Sequence, residues 1–203
     1  MPRWSLGRLG AVLVLGGLFL FGCAQLEPLL TTNWTENFAL ADLGTRATDP
    51  AIIDGNPETV GQTPPQADPR IFLIEFPEPK TVRRIRILND NLYRFRVEYW
   101  DTRRGDWRTL KTVWQRRDVE GDERIVQPIY DIRGINFTTD KIRLVVTRTV
   151  DDRIVAKVAP DRDDKILDHV RQVIGNTWVE YYKIIVELPA RVREVEVYGV
   201  ASG

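Results

Sequence analysis

Residues 94–100 read RFRVEYW, and this stretch decides the fold class. Apolar side chains occupy every second position, and the charged residues Arg94, Arg96 and Glu98 lie between them. Alternation with a period of two is typical of a β-strand that buries one face and exposes the other. The stretch therefore predicts a strand at the surface of a hydrophobic core.

Further segments of similar length carry the same strand signals on both sides of this one. Turn-forming pairs such as Asp-Gly, Asn-Asp and Gly-Asp separate them. Many short strands at near-regular spacing predict an all-β protein, an antiparallel jelly-roll sandwich. The segments are IFLIEF (71–76), TVRRIRIL (81–88), WRTLKTV (107–113), RIVQPIYDI (124–132), KIRLVVT (141–147), KIIVEL (183–188) and VREVEVYG (192–199).

Residues 161–176, DRDDKILDHVRQVIGN, depart from this pattern. Several aspartates near the start and Arg171 near the end suit a helix dipole, and Gly175 suits a helix C-cap. We therefore predict an insertion at about 150–180 that contains one amphipathic helix. The residues of its apolar stripe recur at helical spacing and are Ile166, Leu167, Val170, Val173 and Ile174.

The N-terminal segment contains the single cysteine of the chain, Cys23. Residues 9–22 carry no charge and follow Arg3 and Arg8, which is typical of a secretory signal peptide. A permanent membrane span needs about 20 residues and is the poorer interpretation. Residues 20–23, LFGC, resemble the bacterial lipobox, which implies that the Cys23 thiol carries diacylglycerol and that the chain is cut before it. The alternative is an ordinary signal peptide that contains a cysteine.

This resemblance sets the expected organisation of the chain. We expect a lipoprotein signal peptide at 1–22, a tether at 23–36 and a folded domain at 37–200. The lipid anchor would be the link to the membrane, since several acyl chains hold a protein firmly at a bilayer. The expected location is the cell envelope. The absence of aspartate at position 24 implies the outer membrane if the host has two membranes.

Composition excludes one class of partner. The chain has 203 residues with 29 basic and 29 acidic side chains, so its formal net charge is zero. Nucleic-acid-binding domains usually have a strongly basic balance, which this chain lacks. We expect no nucleic-acid partner, and the mixed charges are typical of a solvated surface.

Four motifs in order resemble the discoidin, or coagulation-factor C-type, domain. They are AIIDGNPET (51–59), FRVEYW (95–100) with Trp107 after it, KIRLVVT (141–147) and REVEVYG (193–199). The resemblance covers about 37–199 and is interrupted near 150–180. It implies the galactose-binding-like jelly roll, a fold that discoidin domains share with many bacterial carbohydrate-binding modules.

The resemblance also implies a structural calcium ion between the Asp-Gly loop and the last strand. The alternative is a plain Asp-Gly turn without metal. Calcium takes six to eight hard oxygen ligands and accepts both carboxylates and carbonyls. The residues carried over as ligands are Ala51, Asp54, Asn56, Thr59, Arg193 and Glu194.

Ligand-binding residues are expected on loops at one end of the sandwich. Many members of the family have a tryptophan soon after the Asp-Gly loop, whereas this chain has Val60 and Gly61. Trp100 and Trp107 fall in strand positions and are interpreted as packing residues. The candidates that could stack on a sugar or hydrogen-bond to it, each with an ordinary loop as the alternative, are Asn91, Tyr93, Arg94, Trp114 and Arg116.

The sequence does not suggest an enzyme. Its single histidine, His169, falls on the predicted helix, and Ser202 is the sole serine after Cys23. These residues offer no thiol–imidazole pair and no convincing catalytic triad. The first hypothesis is a non-catalytic, lipid-anchored module that binds a carbohydrate or envelope polymer. The alternative is a structural accessory lipoprotein that binds an envelope protein through the inserted helix or the sandwich loops.

Overall fold

The structure, a computed structural model, describes residues 32–114 and 126–201. This part of the chain consists of β-strands and two short 3₁₀ helices, Ala41–Leu43 and Pro50–Ile52, and it contains no helix long and apolar enough to cross a membrane. The strands are β1 (Arg46–Ala47), β2 (Gly61–Gln62), β3 (Arg70–Asn89), β4 (Leu92–Asp101), β5 (Asp106–Trp114), β6 (Ile129–Thr149), β7 (Arg153–Lys157), β8 (Lys165–Ile174), β9 (Thr177–Val186) and β10 (Arg191–Tyr198).

Two long strands, β3 and β6, contribute to both layers of a sandwich. Residues 70–75 pair with 141–146, and after a register shift residues 80–88 pair with 129–139. Strands β4 and β5 extend the first of these ladders, and β10 with β2 extends the second. All these pairs are antiparallel. The segments IFLIEF and TVRRIRIL, predicted as separate strands, therefore belong to one long strand.

The core lies between the two ladders. In RFRVEYW, Phe95 and Val97 are fully buried as the alternation predicts, whereas Glu98 on the opposite face is buried as well. The ring of Phe95 in one ladder packs edge-on against Tyr130 in the other, with centroids 5.1 Å apart. The prediction of an all-β, antiparallel sandwich is confirmed.

The helix predicted within residues 161–176 is wrong, because β8 and β9 form a hairpin there. Ile174 pairs with Thr177, so only Gly175 and Asn176 form the turn. Gly175 has a φ of 62°, as the first central residue of a type II′ hairpin turn requires. β-branched side chains favour strands, and this preference outweighs the helical spacing. Asp161 and Asp164, predicted to start the helix, bind Lys157 instead.

A buried ion pair connects the three-stranded sheet β7–β9–β8 to the sandwich. Arg70 on β3 contacts both carboxylate oxygens of Asp152, at 2.7 and 3.1 Å, and both side chains are buried. The carbonyl of Leu188 accepts a hydrogen bond from Arg70, and its N–H donates to Asp152. Burial alone would raise the pKa of Asp152, but Arg70 and the N–H groups of Thr149 and Leu188 hold it below its usual value.

Residues 36–199 form one compact unit. The described residues 32–35 and 200–201 belong to a second unit, in which Trp34 forms an isolated antiparallel bridge with Val200. The signal peptide predicted at 1–22, its lipidation site Cys23 and most of the tether at 23–36 lie outside the described residues.

Candidate functional site

The loop of residues 51–59 is held in a tight path by hydrogen bonds and by a close contact. The Asp49 side chain accepts hydrogen bonds from the N–H groups of Ala51 and Gln62, at 3.0 and 2.8 Å. A Cβ atom at Gly61 would lie 2.3 Å from Ile52, so glycine is required where the chain returns past the 3₁₀ helix. Gly55 has a φ of 76°, which turns the chain directly after Asp54.

Oxygen atoms converge around the Thr59 hydroxyl in this loop. The hydroxyl oxygen lies 2.8 and 3.0 Å from the Asp54 carboxylate oxygens, 2.7 Å from the Asn56 carbonyl oxygen and 3.4 Å from that of Ala51. A hydroxyl has one proton to donate, so it cannot bond to the Asp54 carboxylate and to the Asn56 carbonyl at once, and one of these close approaches has no hydrogen between the oxygens. A cation is the species that such a cluster of oxygens accommodates best.

Glu194 adds a buried carboxylate next to this loop. A register shift between Val192 and Glu194 makes Arg193 an extra residue in the β10–β3 ladder, and bulges of this kind redirect side chains. Glu194 is 2% exposed, and neither carboxylate oxygen has a hydrogen-bond partner among the described residues. The backbone N–H of Gly55 lowers the pKa of Glu194 in part. Burial, and then the charge of Asp54, raises the Glu194 pKa to about 7.

These residues could supply part of the ligand set for the calcium ion that the resemblance implies. The loop brings oxygens of Ala51, Asp54, Asn56 and Thr59 together, and the charge of Asp54 raises the pKa of Glu194. The described residues contain no cluster of three or more His, Cys, Asp and Glu side chains, so carbonyl oxygens would have to supply part of the shell. The Arg193 side chain points to Asp90, at 3.7 Å, and only its carbonyl is a candidate ligand.

The second candidate site lies on the outer face of β4 and β5. Trp114 is 66% exposed, and the Arg94 guanidinium carbon lies 3.6 Å from the centroid of its ring. Arg94 is opposite Trp114 on β5 and opposite Arg148 on β6, so these residues form a row across three strands. The Arg94 Nε has no hydrogen-bond partner among the described residues. An indole ring is thus held at the surface against a guanidinium group, whose Nε is buried and cannot reach a ligand.

The other predicted ligand residues do not all join this row. Asn91 is buried, its amide donates to Asp151 and to the Pro189 carbonyl, and its side-chain oxygen accepts from the Arg191 N–H. Its polar atoms therefore hold the start of β10. Tyr93 precedes Arg94 on β4 and is half-buried. Arg116 lies outside the described residues.

Sequence reasoning missed that the polar face of RFRVEYW continues from Arg94 into an ordered surface. The buried Glu98 carboxylate accepts from Arg96 and Arg143, at 2.9 and 2.8 Å, and Arg143 lies over the Trp107 ring at 4.1 Å. Burial raises the pKa of Glu98, but Arg96 and Arg143 together lower it by more, so the pKa lies below its usual value. The alternation R–R–E–W at 94, 96, 98 and 100 was the available signal.

A separate open groove of about 1130 Å³ lies where the three-stranded sheet meets the sandwich. Its lining, which belongs to the described part of the chain, includes Asp151 and Arg191 but no aromatic side chain. Arg191 is already paired with Asp90 and Asp151, at 2.6 and 3.1 Å. The groove lacks an aromatic ring for stacking, so Trp114 and Arg94 form the better candidate.

Comparisons with known proteins identify no family. No family model matches the sequence, and no curated protein matches it. Among solved structures, a family 32 carbohydrate-binding module from Clostridium perfringens NanJ in complex with galactose is 13% identical, with a TM-score of 0.48 and coverage of 81% of this chain and 98% of that one. Chitosan-binding module 1 from a chitosanase/glucanase of Paenibacillus sp. IK-5 is 18% identical, with a TM-score of 0.48 and coverage of 81% and 100%. At these values the likeness carries no argument about ligand or site, which must come from the residues of this chain.

Proposed function

We propose that this chain is a non-catalytic, lipid-anchored binding module of the cell envelope, and that it binds a carbohydrate or envelope polymer at Trp114. The observation that carries the proposal is the exposed indole ring of Trp114 stacked on Arg94 at 3.6 Å. A large aromatic ring at the surface exposes apolar area that a ligand can cover. A ligand that fits this site has an apolar face to cover the indole and polar groups to contact Arg94.

A sugar ring meets both requirements. Its C–H face is apolar and packs on an aromatic ring, while its hydroxyl groups accept hydrogen bonds from guanidinium donors. Arg94 lies directly against the ring of Trp114, so one sugar can contact both side chains. Because Arg94 stacks on the indole, the ring is already oriented and less side-chain entropy is lost on binding.

We also propose that the oxygens of the 51–59 loop and Glu194 hold a structural calcium ion. Asp54 and Glu194 would supply carboxylates, Thr59 a hydroxyl, and Ala51 and Asn56 carbonyl oxygens, with the Arg193 carbonyl as a further donor. The ion would neutralise a buried carboxylate whose pKa is otherwise raised to about 7. Its role would be to join the loop to β10 rather than to act on a ligand.

The proposed anchor at Cys23 would concentrate the module on one surface. Several weak single-site contacts then act together, and the overall binding to a repetitive polymer exceeds that of one site.

The alternative function is an accessory lipoprotein with a protein ligand. The inserted helix predicted to bind that protein is absent. Exposed apolar side chains on the three-stranded sheet, including Ile166 and Trp178, favour this alternative instead.

A glycan array beside a pull-down from envelope extract tests the proposal. We expect the chain to bind a set of glycans and the Trp114→Ala variant to lose them. Trp178→Ala is the matched control, because Trp178 is also strongly exposed, at 77%, but lies on β9. Silence on the array together with a stoichiometric protein partner would remove the carbohydrate proposal and favour the alternative.

A further inference from the structure

Exposed apolar side chains concentrate on the three-stranded sheet. Ile166, Leu167, Val173 and Ile174 of β8 are each 44–58% exposed, and Trp178 of β9 is 77% exposed. The hairpin also carries polar pairs such as Arg171–Glu180 and Asp168–Lys183, at 3.2 and 3.3 Å. An apolar surface of this extent usually marks a contact with a partner.

β8 is the open edge of this sheet. It pairs with β9, and within the described residues no strand pairs with its other side. All of its residues except Val170 are exposed, and Val170 is half-exposed. Ten residues of open edge present a row of unpaired N–H and C=O groups that can accept another strand.

The sequence of β8 suggests which strand would pair with it. Residues 166–174 read ILDHVRQVI, and their order of apolar and polar residues is the same in both directions about Val170. Leu167 is an extra residue at a register shift in β8, so antiparallel pairing of two copies about Val170 sets Ile166 of one copy opposite Val173 of the other, on the same face of the sheet. This self-complementarity is the requirement for a two-fold symmetric interface.

Charge favours the same arrangement. Antiparallel pairing about Val170 sets Asp168 opposite Gln172 and His169 opposite Arg171, so neither two aspartates nor two arginines face each other. Parallel pairing in register would instead oppose Asp168 to Asp168 and Arg171 to Arg171, which is destabilising.

We propose that β8 pairs with β8 of a second copy of this chain, with Val170 at the two-fold axis, to form a continuous six-stranded sheet. Between Asp168 and Gln172, residues whose numbers add to 340 lie opposite each other on the same face of the joined sheet, as a two-fold axis perpendicular to the sheet requires. Beyond Asp168 the register shift at Leu167 moves the pairing by one residue. An edge of ten residues is smaller than the 20–30 residues per side of a standard stable interface, so the dimer is reversible and concentration-dependent.

The distribution of apolar residues argues against insertion of the hairpin into a membrane. An inserted tip needs apolar residues at the turn and polar residues behind it. Ile166 and Leu167 lie seven or eight residues before the end of β8, about 25 Å from the turn, and are as exposed as Val173 and Ile174. The exposed apolar residues, which include Trp178 beside the turn, therefore extend along the whole hairpin and are not confined to its tip.

Disulfide trapping in the full chain with Cys23→Ser tests the geometry. At a two-fold axis the two Val170 Cα atoms lie about 4.5–5.5 Å apart, within disulfide range. We expect Val170→Cys to give a covalent dimer on mild oxidation. Gln172→Cys is the matched control, since its two copies would lie about 13 Å apart along the strands.

Sedimentation velocity tests the same surface without a cross-link. We expect the mass of the Cys23→Ser chain to approach that of a dimer with rising concentration, and Val170→Lys to remain monomeric because two lysines would meet at the axis. Val158→Lys, at an 81% exposed residue outside β8, is expected to dimerise like the parent chain.

A monomeric parent, or a dimer in which Val170→Cys cross-links no better than Gln172→Cys, would overturn the proposal. If Val170→Lys fails to fold by circular dichroism, the cross-linking result decides. Neither assay involves a glycan, so this inference can fail while carbohydrate binding holds.

Discussion

Replacing Glu194 by glutamine is expected to stabilise the protein in chelator and to reduce its response to calcium. In the folded protein the Glu194 carboxyl has a pKa of about 7, against an ordinary value of 4.5. The folded state therefore binds more protons than the unfolded state between these pH values. It follows that stability falls as the pH rises through this window, and the loss is complete above about pH 7. This difference in pKa corresponds to about 3 kcal/mol.

Glutamine has the shape of the carboxylic acid but carries no charge at any pH. In EDTA at pH 5 we expect Glu194→Gln and the parent to have similar melting temperatures. At pH 8 in EDTA the variant should be more stable by about 3 kcal/mol, or roughly 6–12 °C in Tm for a domain of this size. Saturating calcium should stabilise the parent by about 3 kcal/mol at 100 times the Kd. The variant lacks one carboxylate ligand and should gain clearly less.

The assay is thermal unfolding followed by circular dichroism at pH 5 and pH 8, in EDTA and in calcium. Glu58→Gln is the matched control, because Glu58 is an exposed carboxylate on the same loop, and this variant should have the melting temperature of the parent in all four conditions. A parent whose stability in EDTA does not fall between pH 5 and pH 8 would refute the reasoning about the buried carboxylate. A parent that calcium does not stabilise would refute the metal site alone.

Three further predictions concern the scaffold and the anchor. Asp152→Ala removes the buried carboxylate that binds both terminal nitrogens of Arg70 and should cost about 3–5 kcal/mol in urea unfolding; a cost under 1 kcal/mol would contradict the role given to this ion pair. Gly61→Ala brings a Cβ to 2.3 Å from Ile52 and should cost about 1–3 kcal/mol, measured the same way; an unchanged midpoint would show that the loop does not need the close approach. Mass spectrometry of protein from the native host should find Cys23 as a lipid-modified N-terminus, and an unmodified thiol would exclude the anchor.

The alternating sequence around Phe95 predicted the fold because its period had one interpretation. In ILDHVRQVI the same apolar residues fit one face of a helix and also a strand with both faces exposed, so spacing alone did not decide. The β-branched residues and the two-residue turn at Gly175 and Asn176 favoured the strand.

The candidate sites were partly predictable for a different reason. Asp54 and Thr59 lie five residues apart on one loop, so their proximity follows from local sequence. Asn91 was predicted to bind a ligand. Its hydrogen-bond partners Asp151 and Pro189 are distant in sequence, and only the fold brings them to its amide. The same holds for Arg70 and Asp152, which are separated by 82 residues.

Titration of a glycan identified on the array into the parent chain and into Trp114→Ala tests the central claim most directly. Isothermal calorimetry should give saturable binding to the parent and at least a tenfold weaker Kd for Trp114→Ala, with Trp178→Ala unchanged. Equal affinity of the parent and Trp114→Ala would contradict the assignment of the site. The absence of any glycan that binds the parent would contradict the proposed function itself.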